Sequence, residues 1–277
     1  MPRLIISAAA VITAAAAFCQ TPSYLALADS AANYIGRERW ADAERCITTA
    51  LRAEPANPSN PMLFSNLGVC QHNQGEYAKA LQSYSLALVK APDSPRVLFN
   101  RARTLLAIRQ DSEALSDLDH ALRSDSTMTD ALRLRATMLL ALDSVAPARH
   151  DFSLLRELDP SDAWASAGLA ECLAAGGDNV GATRLYTEAL SKDPDPDTAA
   201  AAILHLLKED HTAQAEEAIY QQLKKYPQEG LLYLCRAILH QRMFQNQAAE
   251  SDKNLAKNYG IDSQTIERYF AVYGRKN

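Results

Sequence analysis

The chain has 277 residues, of which 48% are hydrophobic and 22% charged, and its formal net charge is −5. This composition is sufficient for a sizeable core and excludes an intrinsically disordered chain. The negative charge argues against a general nucleic-acid-binding protein, because such proteins are normally basic.

Residues 1–19 differ in composition from everything that follows. Arg3 precedes an uncharged run of about fifteen residues, which is shorter than the roughly twenty that a membrane-spanning helix needs. Small residues at Ala15, Ala17 and Cys19 predict a Sec-type signal peptide over 1–19, cleaved after Cys19, and export to the periplasm or cell envelope. Two alternatives stay open: a lipid anchor on Cys19, against which bulky Phe18 argues, and an uncleaved anchor. No transmembrane span is expected after signal removal.

Residues 61–93 contain two amphipathic helical faces, separated by the polar break at 72–75 and closed by Pro92. The spacings of three and four between apolar or small residues predict a helical hairpin. The residues that carry the pattern are Phe64, Leu67, Gly68, Tyr77, Ala80, Tyr84, Ala87 and Leu88. This set resembles the tetratricopeptide repeat (TPR), whose period is 34 residues.

The pattern recurs along the chain, with starts at 61, 95, 129 and 163. We predict TPR units over 24–57, 61–94, 95–128, 129–162 and 163–196, degenerate units over 197–229 and 230–261, and a capping helix and tail over 262–277. In the sixth unit, Leu204 falls in a small-residue position, and we expect one residue to be missing from the inner turn. The predicted fold is all-α: a right-handed superhelical solenoid of helix-turn-helix repeats, with a capping helix covering the open end of the last hairpin.

Three units carry an arginine at position seven and an aspartate sixteen residues later. A charge in an apolar position is costly unless it is paired, so we predict an ion pair between the two helices of each hairpin. The predicted pairs are Arg101–Asp117, Arg135–Asp151 and Arg236–Asp252. We interpret them as structural.

The resemblance implies that the first helix of each unit lines a concave groove. Reading the groove positions gives candidate partner-binding residues: Arg96, Phe99, Arg103, Arg133, Thr137, Trp164, His72 and Asn73. Arginine suits carboxylates, and Phe99 or Trp164 suits an apolar anchor. The alternative interpretation is that the arginines are solvated and that Trp164 packs at the start of its helix.

Nothing in the sequence indicates catalysis or a cofactor. The six histidines have no metal-ligand spacing, and no HExxH, GxSxG, Walker or GxGxxG motif occurs. Four cysteines follow residue 19, of which Cys70 and Cys172 share one repeat position; buried free thiols are expected, with a Cys46–Cys70 bridge as the alternative.

The sequence therefore predicts a non-catalytic scaffold or adaptor of the bacterial cell envelope that binds a peptide or partner protein in its groove. The alternative is a structural subunit of an envelope assembly that uses its convex face or its ends. The identity of the partner is not encoded in any recognisable motif.

Overall fold

The computed structural model describes residues 23–274, which form fifteen α-helices and no β-strand. The predicted signal peptide over 1–19, including Cys19, lies outside the described residues, as do residues 275–277. Between residues 23 and 274, none of the helices has both the length and the hydrophobicity that crossing a lipid bilayer would demand.

The described residues divide after Pro92 into two compact units. The first unit consists of two helical hairpins, and α2 packs against α3 to join them. Its helices are α1 (Tyr24–Gly36), α2 (Trp40–Ala53), α3 (Asn60–Asn73) and α4 (Tyr77–Lys90).

The second unit contains five further hairpins and one final helix. Each hairpin contacts the next one in the chain, so these hairpins stack consecutively. The helices are α5 (Pro95–Ala107), α6 (Asp111–Ser124), α7 (Thr129–Ala141), α8 (Val145–Leu158), α9 (Ala163–Ala175), α10 (Asn179–Leu190), α11 (Pro196–Lys208), α12 (Thr212–Lys225), α13 (Gly230–Arg242), α14 (Asn246–Asn258) and α15 (Ser263–Tyr273). The predicted all-α repeat solenoid is confirmed.

Small residues let the helices of most hairpins approach closely. Five of the seven second helices within residues 23–274 bury two alanines seven residues apart, and each of these alanines has no exposed surface. Because alanine adds only a methyl group, two helix axes can pack closely along this line. The residues are Ala43, Ala50, Ala80, Ala87, Ala114, Ala121, Ala182, Ala189, Ala249 and Ala256.

All seven inner turns within residues 23–274 have three residues, and the middle residue has a positive φ. Two of these middle residues are Gly75 and Gly177, for which the left-handed conformation has no steric cost. The other five carry side chains, with φ between 55° and 63°: Glu38, Arg109, Asp143, Asp210 and Phe244. A left-handed residue at each tip therefore follows from the turn geometry, whatever the local sequence.

The sixth hairpin corrects one detail of the sequence prediction. Its inner turn, 209–211, keeps all three residues, and the shortening lies before α11: α10 has 12 residues, whereas α8 and α12 have 14. Helix α11 therefore begins at Pro196, one residue early, which places Ile203 in the buried small-residue position, whereas Leu204 lines a cavity. The predicted loss from the inner turn was wrong, because the preceding helix is shorter and the three-residue turn is kept.

Helix α15 begins at the N-cap Asp262, whose side chain accepts a hydrogen bond from the backbone N–H of Thr265 at 2.9 Å. The helix packs against α13 and also reaches α11. The Lys253 ammonium of α14 lies 4.1 Å from the centre of the Phe270 ring. Helix α15 thus does more than cover the last hairpin, because it extends along two first helices.

Candidate functional site

Two adjoining cavities lie along α9 in the second unit. The first, of about 440 Å³, is lined by residues of α7, α9, α10 and α11 that include Thr137, Leu140, Trp164, Glu171, Tyr186 and Asp197. The second, of about 490 Å³, is lined by Glu171, Tyr186, Leu204, Lys208, Tyr269 and Tyr273, among others. The two cavities adjoin each other, because both are lined by Glu171, Tyr186, Asp197 and Ala201. We refer to both cavities together as the α9 groove.

The floor of the groove is open because α9 and α11 carry small residues there. Ala167 and Gly168 line the first cavity, Ala174 lines the second, and Ala201 lines both. At Gly168 the Phe152 ring of α8 packs directly on the backbone: an added Cβ would lie 2.1 Å from Phe152 Cε1. Only glycine therefore permits this approach of α8 to α9.

Trp164 forms one wall of the groove and is held by its neighbours. Its ring centre lies 5.0 Å from that of Phe152, and the Arg133 guanidinium lies 4.8 Å from the Trp164 ring centre. Arg133 also forms an ion pair with the buried side chain of Asp162. Asp162 in turn caps α9, because it accepts a hydrogen bond from the Ala165 N–H at 3.0 Å. Arg133 is thus already engaged in positioning Trp164 and the start of α9.

Glu171 stands in both cavities and has no counter-ion. Within residues 23–274 its carboxylate makes no hydrogen bond and no ion pair, although solvent reaches it. Protein surrounds the side chain on several sides of the groove, and this burial raises the pKa of Glu171 above its usual value. The groove therefore contains an uncompensated carboxylate next to aromatic side chains.

The opposite wall combines α10, α11 and α15. The Tyr186 and His205 rings lie 4.7 Å apart between centres, and both side chains are buried. Burial raises the pKa of Tyr186 and lowers the pKa of His205. From α15, Tyr269 and Tyr273 complete the wall.

The predicted partner-binding residues fall into three groups. Thr137 and Trp164 line the α9 groove, and Arg133 lies beside Trp164. On α5, the Arg103 guanidinium lies 5.9 Å from the Phe99 ring centre, and Arg96 is exposed; these three residues line neither cavity. His72 and Asn73 belong to the first unit, at the end of α3.

Several groove residues were not among the candidate binding residues, and they include Glu171, Tyr186, Tyr269 and Tyr273. Glu171 lies at the same repeat position as Thr137, so the repeat register places it on the groove-lining face. The apolar stripe of α15 identified Tyr269 and Tyr273 only as a cap. Tyr186 lies on α10, a second helix. It reaches the groove because α9 and α11 carry small residues there. No sequence signal indicated that contribution.

The three predicted arginine–aspartate contacts are present, and each is bidentate, with distances between 2.6 and 2.9 Å. The aspartates are at most 9% exposed, whereas the arginines are partly exposed. Arg135 also donates to Asp119 at 2.7 Å. These contacts join the two helices of a hairpin, and none of the three pairs lines the α9 groove.

The described cysteines are all free thiols, so the Cys46–Cys70 bridge is not formed. Burial raises the pKa of Cys70 to about 12 and that of Cys172 to about 11. Such thiols are protonated at neutral pH and react slowly. Residues 23–274 also contain no group of three or more histidine, cysteine, aspartate or glutamate side chains placed to hold a metal ion.

The chain was compared with known proteins. The family model of the tetratricopeptide repeat matches residues 25–95. A curated relative, the DnaJ homolog subfamily C member 7 homolog of Schizosaccharomyces pombe, is 39% identical over 102 residues. That match covers 35% of this chain and 21% of the relative, so the chain spans about a fifth of the relative's length.

Two solved structures share the fold. A tetratricopeptide repeat protein from Parabacteroides merdae has a TM-score of 0.68 and 23% identity, and the match covers 92% of this chain and 100% of that one. YrrB, described as a TPR protein with an unusual peptide-binding site, has a TM-score of 0.54 and 18% identity, covering 64% of this chain and 90% of its own. The hairpin array, the matching family model and these folds lead to one conclusion: the chain is a tetratricopeptide repeat protein, of a kind that generally acts as a scaffold for protein–protein interactions.

Proposed function

We propose that this protein is a non-catalytic adaptor that binds an extended segment of a partner protein in the α9 groove. The observation that carries the proposal is the groove itself: two adjoining cavities, walled by Trp164, Tyr186 and Tyr273, with an unpaired carboxylate between them. Aromatic walls around a small-residue floor suit an apolar or amphipathic segment, since aromatic side chains contribute much of the binding energy at protein interfaces.

A site-specific crosslinking experiment tests the groove. A photoreactive amino acid placed at Thr137, which lines the first cavity and is exposed, should form an adduct with the partner. The matched control carries the same amino acid at the exposed Glu217 on α12, which lines neither cavity. We expect the Thr137 adduct to disappear when Ala201→Phe fills the groove from α11. An equal adduct at Glu217, or one that persists in the filled variant, would contradict the proposal.

We also propose that the protein is exported to the periplasm or cell envelope, on the basis of the leader-like composition of residues 1–19. Amino-terminal sequencing of protein from a fractionated bacterial host tests this. We expect a mature chain that starts at Gln20 in the periplasmic fraction. Incorporation of labelled palmitate at Cys19 would indicate a lipid anchor, and an intact leader in the cytoplasm would contradict export.

A second candidate function, a structural subunit that makes contacts through its hairpin tips, has one observation in its favour. Phe244, in the inner turn between α13 and α14, is 82% exposed, and Leu142, in the turn after α7, is 52% exposed. Both side chains are accessible to a partner protein. If Phe244→Ser removes the partner while Ala201→Phe leaves it bound, the tips carry the interaction.

A further inference from the structure

We propose that the α9 groove selects a partner segment that presents an arginine or lysine side chain to Glu171, between the aromatic walls. The inference rests on the proposed function and names the chemistry of its partner. It differs from the sequence interpretation, in which arginines of the groove bind carboxylates of the partner.

The charged side chains that line the groove are mostly negative. The two cavities are lined by three carboxylates, those of Glu171, Asp195 and Asp197, and by one ammonium group, that of Lys208. Asp195 is used to cap α11, since it accepts hydrogen bonds from the backbone N–H groups of Asp197 and Thr198. Glu171 and Asp197 are left, within residues 23–274, without a hydrogen bond to their side chains. A cationic segment complements this surface, and an anionic one is repelled.

Arg133, which lies over the Trp164 ring at the wall of the groove, is already engaged within the protein. Arg133 forms its ion pair with Asp162, whose side chain is only 6% exposed and which also caps α9. Releasing Arg133 towards Glu171 would leave the Asp162 carboxylate buried without a partner, which is costly. Arg133 is therefore not available as the counter-ion of Glu171, and a basic side chain of a partner can take that place.

Aromatic side chains share the groove with Glu171. Glu171 and Tyr186 line both cavities. Trp164 lines the first cavity, and Tyr269 and Tyr273 line the second. Aromatic faces attract cations, and the planar guanidinium stacks on them while it binds a carboxylate in the same plane. The chain already shows this arrangement, because the Arg133 guanidinium lies over the Trp164 ring while it pairs with Asp162. Arg236 does the same with Tyr233 and Asp252. A carboxylate beside rings is thus suited to arginine in particular.

Selection from a displayed library of random peptides of about twelve residues tests the inference. The mature chain is the bait, and the Ala201→Phe variant is used to remove peptides that bind elsewhere. We expect arginine or lysine to be enriched at one peptide position. The same selection on Glu171→Gln should lose that enrichment and keep the apolar positions, whereas the control Glu113→Gln, on the exposed start of α6, should keep both.

Affinities then give the size of the effect. A Trp40→Phe background leaves Trp164 as the single tryptophan, so its fluorescence reports binding in the groove. The selected peptide should bind about tenfold more tightly than its citrulline analogue, a difference of about 1.4 kcal/mol. Glu171→Gln should remove this difference by weakening only the arginine peptide.

The outcomes separate the two proposals. If no peptide is enriched over the filled variant, the groove does not bind segments and both proposals fail. If peptides are enriched without a basic residue, or if Glu171→Gln keeps the preference, the groove function stands and the cation inference is overturned. If the chain binds the peptide only after deletion of residues 275–277, then its own Arg275 and Lys276 are the occupants, and the assignment to a partner is overturned.

Discussion

The α7–α8 and α9–α10 hairpins are neighbours in the chain and hold their helices together by different means. In the first, Arg135 donates two hydrogen bonds to Asp151, which has no exposed surface. In the second, the same repeat positions hold Leu169 and Leu185, both buried. The carboxylate of the first hairpin is compensated inside the protein, whereas Glu171 of the second faces the groove without a counter-ion.

The charges of Arg135 and Asp151 hold two helices together, whereas the charge of Glu171 is available to a partner. An ion pair between two helices fixes their register, and its aspartate is inaccessible. A hairpin with an apolar interface needs no such pair, so a charge on its outer face can serve binding. If the α9 groove binds a partner as proposed, an unpaired carboxylate on the groove face marks the site better than an arginine in the repeat pattern does.

Removing the ion pair should have the largest effect. Arg135→Met leaves the Asp151 carboxylate buried without its main partner, so we expect a loss of about 3–5 kcal/mol in the free energy of unfolding. Urea titration followed by circular dichroism measures it. The matched control is Leu169→Met at the equivalent position of the next hairpin, with an expected loss below about 1.5 kcal/mol. Equal losses for the two variants would show that the pair contributes no more than packing does.

A change at the contact between α8 and α9 should have the next largest effect on stability. Gly168→Ala puts a methyl group against the Phe152 ring, so we expect a loss of about 1–3 kcal/mol by overpacking. Thermal melts measure the loss, and the double variant with Phe152→Leu should recover part of it. Gly176→Ala is the control, because its nearest neighbours lie 3.5 Å from an added Cβ. A Gly168→Ala melt identical to wild type would show that the ring moves aside without cost.

The contact between Arg135 and Asp119 should contribute little to the free energy of unfolding. Asp119 is 50% exposed, so Asp119→Asn is expected to cost about 0–1 kcal/mol, and added salt should reduce the effect further. Urea titration at two salt concentrations measures it. A loss as large as that of Arg135→Met would mean that Asp119, rather than Asp151, is the partner that stabilises the hairpin.

The smallest effect concerns pH. Because the folded state raises the pKa of Glu171 above the usual 4.5, wild-type stability should fall as the pH rises from 4.5 through the raised pKa. Glu171→Gln lacks this fall, so it should match wild type near pH 4 and exceed it by up to about 0.5 kcal/mol at pH 7.5. Thermal melts at both pH values measure the difference.

Glu188 is the control with the opposite sign. Hydrogen bonds from Lys192 and Arg156 lower the pKa of Glu188, so its stabilisation is present above pH 4.5 and is lost as the pH falls through the lowered value. Glu188→Gln should therefore be less stable than wild type at pH 7.5. If Glu171→Gln behaved in the same way, Glu171 would have a counter-ion in solution and the comparison would fail.

The sequence predicted most of the fold because the repeat leaves clear marks. Spacings of three and four identified the helices, and the period of 34 residues aligned Arg101 with Asp117 and Arg135 with Asp151 before any coordinates were known. The same register placed Thr137 and Trp164 on the first helices that line the groove. These predictions rest on helix periodicity, which residue spacing encodes directly.

The site was predicted less completely because it depends on features outside that periodicity. The partner of Arg133 is Asp162, a residue before α9 whose direction is set by the helix cap. Tyr186 reaches the groove from a second helix because Gly168 and its neighbours are small. The return of α15 along α13 and α11 brings Tyr273 into the wall, and spacing within α15 does not predict its direction.

The hairpin tips have a consequence for the engineering of this protein. Glu38, Arg109 and Asp143 adopt the left-handed conformation, which costs residues with a side chain roughly 1–2 kcal/mol each. Asp210 adopts it too, but its carboxylate pairs with the buried Arg242 and has to be kept. None of these residues lines the α9 groove. Glycine there relieves that cost, and part of the gain is offset by the greater freedom of the unfolded chain. Glycine at Glu38, Arg109 and Asp143 should therefore raise the melting temperature of the protein and leave the α9 groove unchanged.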